Sequence, residues 1–169
     1  HPAVLARLRA EHAQVLGDRR PSAADLQRLV YTRQVLQEAM RLYPPAWVIP
    51  RFCPDETPLG TYTIPADSAV LLSPYLTQRD PALWDRPDEF DPERFAPGAE
   101  PRHRYAYFPF GGGGRQCIGN HFALMEAQLI LALLLRRVQP RSLPGPAPRP
   151  SSAGTLKPKG GLRMRLQPA

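Results

Sequence analysis

Phe110-Gly111-Gly112-Gly113-Gly114-Arg115-Gln116-Cys117-Ile118-Gly119, followed at once by a long apolar helix pattern, is the stretch from which the chain is read. It places a cysteine at the mouth of a predicted helix, behind a glycine-rich loop and two residues after an arginine. A cysteine ligates metal or attacks as a nucleophile only as its thiolate, and a free thiol titrates near ~8.5. A helix N-terminus carries roughly half a positive charge and several unpaired N–H groups, and Arg115 adds a full charge. Both favour the thiolate, so Cys117 is a candidate deprotonated ligand. The glycines let the backbone turn and approach a flat, bulky partner without a Cβ clash. Gly119 extends that clearance onto the first helical turn.

Other readings of the loop are open at this point. A glycine-rich turn before a helix can cradle phosphate, but no Lys-Ser or Lys-Thr follows, as the phosphate motif requires. Cys117 and His121 stand on one predicted helix face like zinc ligands, without the rest of a tetrahedral set. The same pair could be a nucleophile and its base, with no third group to orient them. A lone cysteine is most often buried and inert.

Phe110, Gly113, Arg115, Cys117 and Gly119 together match F-x-x-G-x-R-x-C-x-G, and in this the chain resembles the cytochrome P450 family. The resemblance implies a mainly α fold with small antiparallel β-sheets (α+β), of which this sequence is the C-terminal portion. It divides the chain into J and K helices over 1–43, strands and meander over 44–107, and the haem-binding loop over 108–117. An L helix over 118–138 and a C-terminal connector and hairpin over 139–169 complete it. The implied cofactor is haem b, with Cys117 as the metal ligand. Arg115 and Arg51 would face its propionates, Phe110 would shield the sulfur, and Gly113 and Gly119 would clear room for the porphyrin. The implied reaction is a haem-thiolate monooxygenation of an apolar small-molecule substrate, with electrons from a reductase or ferredoxin as redox partner. The long I helix with its acid–alcohol pair and the N-terminal helices lie outside this sequence. A truncated or remnant haem-binding fragment without catalysis is therefore the alternative.

Composition is compatible with this reading. Hydrophobic residues at 43% and charged residues at 22% describe a globular chain, not a disordered one. The net charge of +7 is scattered among helices and prolines without a basic block. That excludes a nucleic-acid module and leaves solvation or docking of an acidic redox partner. Cys53 and Cys117 make no disulfide framework. With no apolar run long enough to span a membrane and no signal peptide, a cytoplasmic location is the expectation. The first residue is His, so the true beginning is expected to lie upstream.

Along the chain, Val4, Leu5, Leu8, Val15 and Leu16 predict a helix ending at Gly17. Ser22 with Asp25 predicts the N-cap of a second helix, running through Leu26, Leu29, Val30, Val35, Leu36 and Met40 to Pro44-Pro45. On it, Glu38 and Arg41 share a face. Alone this pair reads as an exposed ion pair worth under ~1 kcal/mol; the resemblance implies instead a buried structural triad with Arg94 of Pro92-Glu93-Arg94-Phe95. Pro44 to Arg51 is stiff and extended, and in the resemblance Pro45, Ala46, Trp47 and Val48 become candidate substrate contacts. Leu59–Ile64 and Ala69–Leu72, separated by Pro65-Ala66-Asp67, predict a small antiparallel sheet. Gln78 of Gln78-Arg79-Asp80-Pro81 stands where many relatives have His. Residues 84–101 read as a proline-rich meander anchored by Phe90 and Phe95. The segment 118–138 is apolar around most of its circumference, which predicts a buried helix. After a proline-rich connector, Thr155-Leu156 and Leu162–Leu166 predict a closing hairpin whose turn, with Thr155, can touch substrate.

Overall fold

The computed structural model describes residues 1–169. Helix α1 spans Pro2–Leu16, with proline in its first turn where its missing N–H costs nothing. Gly17 ends it at φ 54°, its N–H donating to the Ala13 carbonyl at 3.0 Å. Leu8, His12 and Leu16, four residues apart, form its buried stripe.

The second helix does not start at Ser22. Ser22 and Asp25 do bond, the Ser22 N–H and hydroxyl both donating to Asp25 Oδ2 at 3.0 Å, but they close only a 3-10 turn over Ala23–Asp25. Helix α2 begins later and spans Val30–Leu42. Its first donors are met from α1, where the Glu11 carboxylate accepts from the N–H groups of Tyr31 (2.5 Å) and Thr32 (2.9 Å) and the Thr32 hydroxyl (2.7 Å). A carboxylate at a helix N-terminus satisfies unpaired donors and complements the dipole, and here it overrides the local cap signal.

Four two-stranded antiparallel ribbons follow. Strand β1 (Ile49–Cys53) pairs with β4 (Ser68–Leu72), whereas β2 (Thr57–Leu59) and β3 (Tyr62–Ile64) fold on each other around Gly60-Thr61. The predicted run Leu59–Ile64 is thus a hairpin in itself and not the partner of Ala69–Leu72. Pro50 lies opposite Leu71; a two-stranded ribbon leaves each strand an open edge, where a proline's lost donor is tolerated. A short helix α3, Pro74–Thr77, is capped by Ser73.

Helix α4 spans Asn120–Arg137. Its buried side packs on the other helices in two clusters, Leu8 with Tyr31, Val35 and Leu135, and Leu16 with Leu29 and Ala132. The all-round burial expected of it is not found. Phe122 is 63% exposed, Ile130 56% and Leu134 45%, because α1 and α2 cover only one side. The closing hairpin also differs from expectation. Strand β5 (Val138–Ser142) leaves α4 directly and pairs with β8 (Met164–Pro168), while β6 (Pro150–Ser151) pairs with β7 (Lys157–Pro158). Leu162–Leu166 therefore pairs, in its C-terminal part, with the start of the connector and not with Thr155-Leu156. No helix is long and apolar enough to cross a membrane.

Candidate functional site

The site is built outward from α2. Glu38 and Arg41 are fully buried, and the guanidinium grips the carboxylate at two points, Nε to Oε2 at 2.7 Å and Nη2 to Oε1 at 2.9 Å. The remaining donors of Arg41 reach the carbonyls of Gln78 (2.8 Å), Pro87 (2.6 Å) and Glu89 (3.0 Å). All five guanidinium N–H groups are thus engaged. Glu38 also accepts from the Asp91 N–H at 2.8 Å. Arg94 lies on a 3-10 turn, Pro92–Phe95, and its Nε approaches Glu38 Oε1 at 3.4 Å without a hydrogen bond. Its Nη2 donates instead to the Arg86 carbonyl at 2.7 Å. The structure brings these three residues together, but Arg94 contributes the loosest contact.

This hub holds the meander, whose aromatic anchors stack beside it. Trp84 is buried under the guanidiniums of Arg41 and Arg102, at 5.0 and 4.7 Å from its ring. Its indole N–H donates to the Ala106 carbonyl at 3.3 Å. Phe95 packs on Tyr107 at 4.9 Å. Burial, and then the nearby Glu38 charge, push the Tyr107 phenol far above its ordinary range.

Gln78, noticed in the sequence only as a departure from His, is completely buried. Its side-chain amide donates to the Met40 and Arg41 carbonyls at 3.0 Å each and accepts from the Phe108 N–H at 2.9 Å. No periodicity announces such a residue, because all its partners come from other segments.

From Phe108 the chain enters the cysteine loop. The Gly111 N–H donates back to the Phe108 carbonyl at 2.9 Å, and the Cys117 N–H to the Phe110 carbonyl at 2.9 Å, closing the loop on itself. A 3-10 turn occupies Gly113–Arg115. Only two of the four glycines need a left-handed backbone, Gly111 at φ 74° and Gly113 at φ 67°. Gly112 is required by space instead, since a Cβ there would stand 2.6 Å from Tyr105 Cε1. Around Gly113 and Gly114 nothing lies within 4 Å of a Cβ position, so the loop's outer face is open.

Cys117 precedes α4, separated from it by Ile118 and the N-cap Gly119. Cys117 and His121 therefore do not share a helix face, and no three His, Cys, Asp or Glu side chains gather as a metal cage. The thiol is exposed. Ile118, next in sequence, is fully exposed, and Phe122, on the first turn of α4, is largely so. Arg115 is exposed and Phe110 half-buried. An open thiol, apolar neighbours, side-chain-free backbone and a flanking cation suit a flat, apolar ligand carrying carboxylates and a thiolate-binding metal. Haem has that chemistry, and the residues fit it.

The segments expected to contact substrate also come together. The Trp47 indole N–H donates to the Gly154 carbonyl at 3.0 Å, and the Leu156 N–H to the Pro45 carbonyl at 2.9 Å. Pro45, Ala46 and Thr155 are exposed, Trp47 and Val48 half-buried. The Trp47 carbonyl accepts from the Ser73 hydroxyl at 3.0 Å. Ile49, at the head of β1, reaches the loop, its Cδ1 lying 3.6 Å from the Cβ position of Gly111. Arg51 is half-buried on the same strand and bonds only the Pro50 carbonyl, at 2.9 Å.

Fold and site define a mainly helical protein with small antiparallel sheets that presents one open thiol on a glycine loop ahead of a long helix. The family description "Cytochrome P450" matches residues 1–164, and the chain belongs to the cytochrome P450 family. It is 47% identical, over 99% of its length, to a cyclooctatin synthase of Streptomyces melanosporofaciens. It is 42% identical, over 86%, to a cyclooctat-9-en-7-ol 5-monooxygenase of the same organism. It covers 37% and 32% of those two proteins. Among solved structures, retinoic acid-bound cyanobacterial CYP120A1 superposes with a TM-score of 0.92 at 31% identity, over all of this chain and 39% of that one.

Proposed function

We propose that this chain is the haem-ligating C-terminal part of a monooxygenase that inserts one oxygen atom of O2 into an apolar organic substrate. The carrying observation is Cys117: an exposed sulfur on a loop closed by its own hydrogen bonds, next to open glycine backbone. Haem ligated by a thiolate supplies the oxygen chemistry, the sulfur pushing electron density toward the iron. The residues of this chain hold and shape. Cys117 would offer the ligand, Arg115 and Arg51 would offer charge for the propionates, and Phe110 would shield the ligated sulfur. Gly113 and Gly119 leave the approach clear. Pro45, Ala46, Trp47, Val48 and Thr155 form part of the substrate wall. The names of two similar proteins, with cyclooctat-9-en-7-ol and retinoic acid, support a largely hydrocarbon substrate. The electron donor is a reductase or ferredoxin, whose docking an overall charge of +7 would favour if its own docking face is acidic.

A second reading, a haem-binding remnant without turnover, draws on the exposed apolar side of α4 and on a small core, 23 of 169 residues buried. Reducing the full-length protein under carbon monoxide separates the readings from error. The red-shifted Soret band of thiolate ligation is expected, and Cys117→Ala abolishes it. A Cys117→Ala protein that keeps the band refutes the ligand assignment. Thiolate ligation without substrate oxidation by the reduced protein favours the remnant.

A further inference from the structure

We propose that Gln78 is the positioning residue of the cysteine loop, tying the backbone at Phe108 to the C-terminal end of α2. The inference deepens the haem-thiolate reading and rests on it for its consequence, though not for its geometry. A helix leaves its last carbonyls without intrahelical donors. At the end of α2, the Ala39 carbonyl takes the Tyr43 N–H at 2.8 Å, and the next two, Met40 and Arg41, take both donors of the Gln78 amide. The amide oxygen then faces the Phe108 N–H. These partners fix the amide's orientation, since the flipped form would set donor against donor at Phe108 and acceptor against two carbonyls.

Gln78 is itself immobilised. Its N–H donates to the Pro74 carbonyl at 2.9 Å, and its carbonyl accepts from Arg41 Nη1 at 2.8 Å. Phe108 is held at both ends, its N–H by Gln78 and its carbonyl by the Gly111 N–H. Two residues on, the Phe110 carbonyl receives the Cys117 N–H. Three successive hydrogen-bonded links therefore lead from the buried hub to the backbone of Cys117. Beyond these bonds the loop is touched by Ile49 at Gly111 and by Tyr105 at Gly112. It has few side chains of its own to pack, and beyond Gly112 its glycines meet no crowding. An amide is well suited to this post, because a neutral imidazole has one donor and one acceptor where Gln78 uses two donors and an acceptor.

The test compares Gln78→Met and Gln78→His in the full-length protein at about pH 8, where an ordinary imidazole is neutral. Methionine keeps the volume and loses all three side-chain bonds, while the main-chain bonds to Pro74 and Arg41 remain. In Gln78→Met, amide hydrogen exchange across residues 108–117 is expected to rise about ten- to a hundredfold. Exchange in 120–137 stays near the native rate, and the thiolate fraction of the carbonyl complex falls. Gln78→His keeps the acceptor for Phe108 and one donor, so loop protection returns to within about threefold of the native protein. Unchanged loop exchange in Gln78→Met overturns the proposal, as does a rise shared equally by 120–137, which would signal general loosening. If Gln78→Met does not fold, an unprotected loop in folded Gln78→His overturns it. A native protein with no thiolate band would defeat the haem reading while leaving the exchange result to be read on its own.

Discussion

Replacing Arg41 with methionine tests whether the buried hub is arranged as its distances imply. The guanidinium makes two bonds to Glu38 and one each to the carbonyls of Gln78, Pro87 and Glu89. Removing one partner of a buried ion pair costs about 3–5 kcal/mol, because the other charge is left in low dielectric. Each orphaned carbonyl adds about 1–3 kcal/mol where water cannot reach it. Even with incomplete additivity the loss exceeds ~5 kcal/mol, comparable to the ~5–15 kcal/mol that holds a typical protein together. Arg94→Met is the comparison. It removes the bond to the Arg86 carbonyl and a 3.4 Å approach to Glu38, which keeps Arg41 and the Asp91 N–H. About 1–2 kcal/mol is expected for that change. Urea unfolding of the full-length variants, followed by circular dichroism and by haem release, should show Arg41→Met largely unfolded in buffer and Arg94→Met folded with a lowered midpoint. Equal losses, or a larger one for Arg94→Met, would refute the reasoning.

Three further outcomes are expected. Gly112→Ala should cost about 1 kcal/mol or more by driving a methyl into Tyr105, and Tyr105→Ala should relieve it in a double-mutant cycle by urea titration. Trp47→Phe should loosen the turn at Gly154, weakening spectroscopically measured substrate binding and altering the product ratio, with the carbonyl spectrum unchanged. Burial holds the His12 imidazole below its ordinary value, so the unfolded chain takes up a proton first as pH falls. Stability should therefore decline from about pH 6.5 downward until the folded-state value is passed, and His12→Gln should flatten that part of a urea-midpoint profile. Asp25 and Asp85, held down by bonds to Arg19 and Arg86, contribute losses only at lower pH, within and below the ordinary carboxylate range.

The class of fold was legible because its strongest signals are local. The apolar spacing and Gly17 mark α1, and the cysteine stretch marks the loop and the helix after it. What eluded the sequence depends on partners far along the chain. The Ser22–Asp25 pair is a genuine cap signal, yet α2 starts at Val30 because Glu11, on another helix, supplies acceptors there. β4 pairs across to β1 while the nearer run folds back on itself, a choice that pattern alone cannot make between short strands of similar character. The apolar girth of α4 reads as burial, but burial needs neighbours on every side. In the site, Cys117 and the Glu38–Arg41 spacing could be pointed to from the sequence. Gln78 could not be, since its importance is made by three backbone groups supplied from two distant segments.

The Glu11 clamp has a consequence for the order in which the molecule assembles. Leu29, at the start of α2, offers no side-chain cap of its own, so that helix is left with a ragged beginning until its upstream neighbour is in place. Synthesis from the N-terminus delivers the template before the element it completes. A nick between residues 17 and 22 should leave α1 and α2 bound to each other, whereas excising α1 should deprive α2 of its start.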